Sequence, residues 1–289
     1  MTDQSMGMTQ KLAEFIVSTD ASKIPHDVYD HAKVAFMDWM GVTIGGMKDP
    51  LVAKLIAYTE TMGGNSQATV IGHRGKKSVS QAALINGAAS HVLDYDDTLV
   101  SFFGHPSVTL FPSLLAISEW QDKSGHDFLT ASLIGLQAGA TIGVCAGLDH
   151  YMAGWHATST QGHLASAAGC ARLLDLDVRQ TAWAIGIAAT QSSGLKRVFG
   201  TMCKPFHAGK AASDGLLAAV LADRGFTSSG DMIGGEKGFA SVLSDKYDPR
   251  AVTDMPGRQW HVEQIIFKRH ASCYRTHAVI ECALALRNR

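Results

Sequence analysis

Between Pro112 and Pro205 the chain contains no proline, and that absence limits what the stretch can fold into. Proline interrupts helices more reliably than any other residue, because it lacks an N–H and clashes with the preceding turn. The interval is rich in Ala, Leu, Ile and Gly and poor in the alternating pattern of strands, so it reads as several consecutive helices. Inside it, Phe128 to Leu148 runs without a charge, and Gly135, Gly139, Gly143 and Gly147 recur every four residues. That spacing places all four on one helix face, where the missing Cβ lets another backbone come close. The stretch is long enough to cross a bilayer. It nevertheless carries Thr130, Ser132, Gln137 and Thr141 and stands alone in a chain of ordinary composition. The expected state is therefore the central helix of a packed bundle, with no membrane partner.

The flanking sequence extends the pattern. Pro25 suits the first turn of a helix through Val28, Ala32, Phe36 and Met40, ended by Gly45 and Gly46. Further helices are expected over 51–61, 79–93, 112–120, 128–147, 160–174, 179–193 and 208–224. Beyond that, 262–268 is short and β-leaning, and 273–289 has the apolar spacing of a helix. The expected fold class is mainly all-α. A large helical bundle-like domain would occupy 1–258, and 259–289 would be the truncated start of an α+β lid domain, too short to bury a core of its own.

Charge and cysteine usage narrow the function. With 25 basic and 26 acidic side chains, the formal charge of -1 provides no broad cationic surface for nucleic acid. The five cysteines are widely spaced and contain no C-x-x-C pair, which argues against a disulfide framework, a zinc ribbon and an iron–sulfur cluster. A cytoplasmic setting is the default expectation. Gly72 to Ser78 misses the phosphate-loop spacing, and no dinucleotide-binding or nucleophile-elbow motif is present.

What remains are four polar clusters at the ends of apolar helices. The first runs from Asn86 to Thr98 and continues to His105; if its helix extends, His91, Asp94 and Asp97 share a face. The second, Gly154 to His163, brings His156 and His163 in a stretch whose glycines and hydroxyls suit a loop with backbone N–H groups that can receive a carboxylate. The third, Lys204 to Ala212, brings Lys204 and His207, and the fourth, Phe267 to His277, brings Lys268 and His277. These parts suit binding of a polycarboxylate and movement of a proton beside it. They equally allow a metal-dependent hydrolase using His91, Asp94, Asp97 and His105, or a non-catalytic helical scaffold.

Asn86-Gly87 with Leu93 to Thr98, His105-Pro106-Ser107, Gly154-Trp155-His156 with Thr158 and Gly162, and Lys204 to Gly209 together resemble the 2-methylcitrate dehydratase (MmgE/PrpD) family. The resemblance implies a helical domain with a smaller α+β lid, a homodimer, and chemistry without metal or organic cofactor on small di- or tricarboxylates. Members include 2-methylcitrate dehydratase, cis-aconitate decarboxylase and iminodisuccinate epimerase, and the first of these, a hydro-lyase, is the expected activity. The decarboxylase, the epimerase and an inactive truncated scaffold are the alternatives. By the same resemblance the catalytic residues fall on Asp94, His105, His156, Lys204 and His277. Lys268, Asp97, His163 and His207 are expected to bind substrate. Asp94 would orient a histidine, while Lys204 and Lys268 would hold carboxylates. The family's Lys-x-Tyr-Pro-x-Cys appears here as Lys268-Arg-His-Ala-Ser-Cys273, without the tyrosine and proline. The family's lid tyrosine has no counterpart within the 289 residues, so activity of the chain by itself is in question.

Overall fold

A computed structural model of the chain describes residues 7–254 and 259–287. The uncharged stretch forms the long helix α6 (Gly125–Met152), numbered after α1 (Met8–Ser18), α2 (His26–Gly46), α3 (Pro50–Met62), α4 (Val79–His91) and α5 (Ser107–Gln121). Ser124 and Asp127 form a reciprocal capping box at its start. Three of its four spaced glycines are places of close approach. A Cβ on Gly135 would lie 3.0 Å from the Ala165 carbonyl, one on Gly139 would strike Phe102, and one on Gly143 would overlap the Ser101 carbonyl. The fourth, Gly147, takes φ 69° and breaks the helix instead. Residues 130–143 are buried throughout, so the charge-free faces of α6 are covered by other helices.

Helix α7 (Ala157–Leu173) packs along α6, followed by α8 (Val178–Gln191) and α9 (Cys203–Asp223). Helices α4 and α9 cross at backbone contact. A Cβ on Gly209 would sit 2.1 Å from the Leu84 carbonyl oxygen, and one on Gly87 would sit 2.7 Å from the Gly209 Cα. Pro112 lies inside α5 rather than at its start. Its missing N–H leaves the Val108 carbonyl without the usual helical partner, and a Cβ on Gly87 would lie 3.1 Å from that oxygen. An aromatic group of Phe36, Trp39, Phe111 and Phe128 fills the space between α2, α5 and α6. Two short strands, β1 (Ala68–Thr69) and β2 (Lys76–Lys77), pair antiparallel beside α5.

The mainly all-α class holds, while several local expectations do not. Helix α4 ends at His91, so no helical face carries His91, Asp94 and Asp97 together. The chain turns at Asp94, which takes φ 49°. The strand expected over 262–268 is a 3-10 turn at His261–Gln264 followed by one antiparallel bridge, Thr98 to Ile266. It docks on the loop after α4 instead of pairing in a sheet. Two short helices, α10 (Phe239–Leu243) and α11 (Arg250–Thr253), precede it. The last helix is α12 (His277–Arg287), none of whose residues is buried.

The α4–α9 crossing sets a test. Gly209→Ala is expected to cost about 1–3 kcal/mol or more, because the added methyl meets backbone that cannot move aside. Gly125→Ala has open space around it, and its thermal unfolding midpoint should stay near that of the parent.

Candidate active site

The site is built where the loop after α4 meets the start of α9 and the segment after residue 259. The left-handed conformation at Asp94 is one that aspartate tolerates better than most L residues. It turns the carboxylate between two ammonium groups. Lys204 Nζ, in the first turn of α9, donates to Asp94 Oδ2 at 2.8 Å, and Lys268 Nζ donates to Oδ1 at 2.6 Å. Lys268 also donates to the Asp94 carbonyl at 2.6 Å, and its side chain is fully buried. Burial opposes a charge on Asp94, yet Lys204 and Lys268 outweigh it and hold its carboxyl below the usual range. Two ammonium groups thus share one carboxylate.

His105 stands on the other side of Asp94, its Nε2 4.0 Å from Asp94 Oδ1. Its Nδ1–H donates to the Asp97 carbonyl at 2.7 Å and lies 3.1 Å from Asp96 Oδ2. Asp96 Oδ2 also accepts from His91 Nδ1 at 2.9 Å. The carboxylate that orients a histidine is therefore Asp96, not Asp94. Burial opposes ionisation of Asp96, but His91 and His105 together hold its carboxyl well below the ordinary value. Burial pushes His91 down to about 4 in spite of Asp96, so this ring is neutral. Asp97 is driven the other way, up to about 7, by burial and by the charge on Asp96, against the Ser107 hydroxyl that donates to it. Asp38 of α2 joins this group: burial, then Asp96, raises it to about 6, with Lys268 opposing.

Four imidazoles form a row. The His91 ring lies 4.8 Å from that of His105 and 6.0 Å from that of His156, and His156 lies 5.3 Å from His207. His156 caps α7, and its amide donates to the Gly194 carbonyl. Phe199 packs edge-on against the His156 ring, with Lys204 Nζ 5.5 Å from the Phe199 centroid. A cavity of about 260 Å³ opens beside His105, between Leu99, Val100, Phe103 and Leu148 on one side and Tyr151, Tyr274 and Arg275 on the other. A larger apolar cavity, about 690 Å³ between α2, α5 and α6, contains no histidine and lies apart from these groups.

Of the residues expected from the sequence, Asp94, His105, Lys204 and Lys268 converge, with His156 and His207 next in the row. Both lysines are engaged by Asp94 rather than free for a substrate. Asp97 is fully buried behind His105, and His163 has both nitrogens facing acceptors, the Ser159 carbonyl and Asp214. Neither offers an atom to a substrate. His277 lies in the C-terminal segment, its Nε2 donating to the His270 carbonyl and its ring against Tyr274. Asp96, Asp38 and Arg275 were not singled out by sequence reasoning. Three acidic residues in Asp94-Tyr-Asp-Asp97 gave no sign of which would turn inward.

For a metal, the ligand-type atoms of His91, Asp96 and His105 lie within 4.8 Å of one another. The His91 Nδ1–H is already given to Asp96 Oδ2 and the His105 Nδ1–H to the Asp97 carbonyl, so an ion would have to displace those protons. The hydrolase set of His91, Asp94, Asp97 and His105 is not assembled, since Asp97 is engaged with Ser107 and Asp94 with the lysines.

Residues 10–251 match the model of the MmgE/PrpD N-terminal domain. The chain belongs to the MmgE/PrpD family. It is 29% identical to a cis-aconitate decarboxylase-like protein from Aspergillus oryzae, over 95% of this chain and 60% of that protein. It is 29% identical to the cis-aconitate decarboxylase of Aspergillus terreus, over 98% and 61%. The human cis-aconitate decarboxylase is 27% identical, over 97% and 60%. This MmgE/PrpD chain thus spans about three fifths of the length of these relatives.

The neutral His91 makes stability depend on pH. In the unfolded chain it binds a proton near pH 6.5, and in the folded chain only near 4. Between those values the unfolded state holds more protons, so folding stability falls as pH falls, by about 3 kcal/mol from this ring. His91→Gln should flatten that part of the stability curve, as measured by urea unfolding at a series of pH values.

Proposed function

We propose that this chain is the helical part of a lyase that decarboxylates a small unsaturated tricarboxylate of the cis-aconitate type. The observation that carries the reading is a cavity lined by His105, Arg275 and an apolar wall, with His105 Nε2 4.0 Å from the Asp94 carboxylate that pairs with Lys204 and Lys268. Its family membership and its similarity to proteins named for that reaction support it. The dehydration expected first from the sequence has less support, because the relatives named above are decarboxylases or decarboxylase-like.

The chemistry asks for three things. As the carboxylate leaves as CO2, the electron pair of the broken C–C bond forms a new double bond, and the far carbon of the old double bond takes a proton. The retained carboxylates need cations, and Arg275 on the cavity wall supplies one directly, while Lys204 and Lys268 lie behind, paired with Asp94. The leaving carboxylate needs a place where its charge is poorly solvated, and Leu99, Val100, Phe103 and Leu148 form such a wall. The carbon needs a proton donor; His105 lines the cavity, and His156 stands beyond His91 in the same row of imidazoles. His105 is held by Asp96 in one orientation, with Nε2 facing Asp94.

Incubating the chain with 13C-labelled cis-aconitate should release one CO2 per molecule and leave an unsaturated dicarboxylate, followed by NMR. Conversion of 2-methylcitrate to an unsaturated tricarboxylate without CO2 would instead establish the dehydratase. Failure to bind or turn over any tricarboxylate would contradict both. Arg275→Ala should raise KM about tenfold with little change in kcat, because an exposed guanidinium–carboxylate contact contributes about 1–1.5 kcal/mol. Steady-state kinetics checks this.

A further inference from the structure

The Nδ1 atoms of His156 and His207 face each other at 3.0 Å. Two lone pairs at that distance repel, so one ring carries its proton on Nδ1 and the other accepts it. The two rings differ in their access to water. His156 is 3% exposed, enclosed by Phe199, His91 and the Gly194 backbone. His207, one turn into α9, is only half-buried.

A ring in the position of His156 does not store charge. Burial first, then His91, His207, His105 and Lys204, holds it well below the ordinary histidine value, and burial and His163 lower His207 as well. A neutral imidazole in such a place gives up one proton only as it receives another. His163, beyond His207, does not compete for this task, because its nitrogens face the Ser159 carbonyl and Asp214, which Lys210 also engages.

We propose that His207 is the relay through which His156 is resupplied with protons, an inference that rests on the decarboxylase reading above. The His156 Nε2–H bond breaks as its proton passes to the substrate carbon. The His207 Nδ1–H bond breaks as that proton moves across the 3.0 Å contact to His156 Nδ1. His207 takes its replacement from water at Nε2. Both rings remain neutral and only their tautomers change; the substrate loses CO2 and gains the one proton drawn from solvent. The tautomers reset when product leaves and water enters the cleft. His207 touches no reacting atom, so it acts through His156 as a positioning and relay residue.

The first test needs no turnover. In 15N-histidine NMR of the chain, His156 and His207 should show one protonated and one unprotonated Nδ1, coupled through the shared proton. Two Nδ1 atoms in the same state would overturn the relay. The second test is kinetic. His207→Ala should lower kcat about 100-fold with KM changed less than about threefold, and added imidazole should restore at least about tenfold of the loss, whereas His207→Gln should not be rescued. An unchanged kcat, or a loss that imidazole does not restore, would overturn the relay while parent turnover still upheld the decarboxylase. Absence of CO2 release from the parent would count against the decarboxylase reading alone, and the NMR result would still decide whether the two rings share a proton.

Discussion

The carboxylate of Asp94, held between Lys204 and Lys268, is the interaction on which the rest of the site depends. It joins three segments far apart in sequence: the loop after α4, the first turn of α9, and the chain after residue 259. A buried lysine is stable only with a partner, and removing one member of such a pair costs about 3–5 kcal/mol because the other charge is left behind. Lys268 has no other carboxylate partner among the described residues. The backbone bridge between Thr98 and Ile266 reinforces the same joint.

The scaffold that aims these groups is built from residues without bulk. Gly87 and Gly209 bring α4 and α9 to backbone contact, and Gly143 brings α6 against the Ser101 carbonyl. Gly104 does the same for the histidine loop: a Cβ there would strike the Thr158 hydroxyl, the group that accepts from the His105 amide. Close packing of this kind transmits small displacements instead of absorbing them. The carboxylates next to the site divide into those that keep a charge and those that do not. Asp94 and Asp96 are stabilised as anions by their partners, while burial and the charge on Asp96 push Asp97 up to about 7 and Asp38 up to about 6.

Much of the helical body was legible because proline and glycine punctuate it. The gap between Pro112 and Pro205 marked α6 to α8, and the capping residues Ser124 and Asp177 sit where the periodicity begins. Pro112 was misplaced because its cost is local, and packing in the helix interior overrode it. The strand expected over 262–268 failed because Val262 and Ile265 pack into the helical core, where this turn meets α2 and α6, and only Ile266 pairs, with Thr98. Lys204, His105 and His156 were legible as polar residues at helix ends. Their pairings were not, since Asp94 meets Lys204 and Lys268, and Asp96 meets His105, only through the left-handed turn at Asp94, a tertiary choice no spacing encodes. Lys204 and Lys268 were expected to hold a substrate for the same reason: sequence shows a cation, not the anion that already occupies it.

The central claim is that the charge of Asp94, and not merely its shape, holds the C-terminal segment and the two lysines in place. Hydrogen exchange of Asp94→Asn against the parent tests it directly, because asparagine keeps the size and tolerates the left-handed backbone. The account predicts faster exchange confined to residues 259–287, the loop over 94–105 and the first turn of α9, with α6 and α7 unchanged. Equal exchange in those segments for both proteins would contradict it.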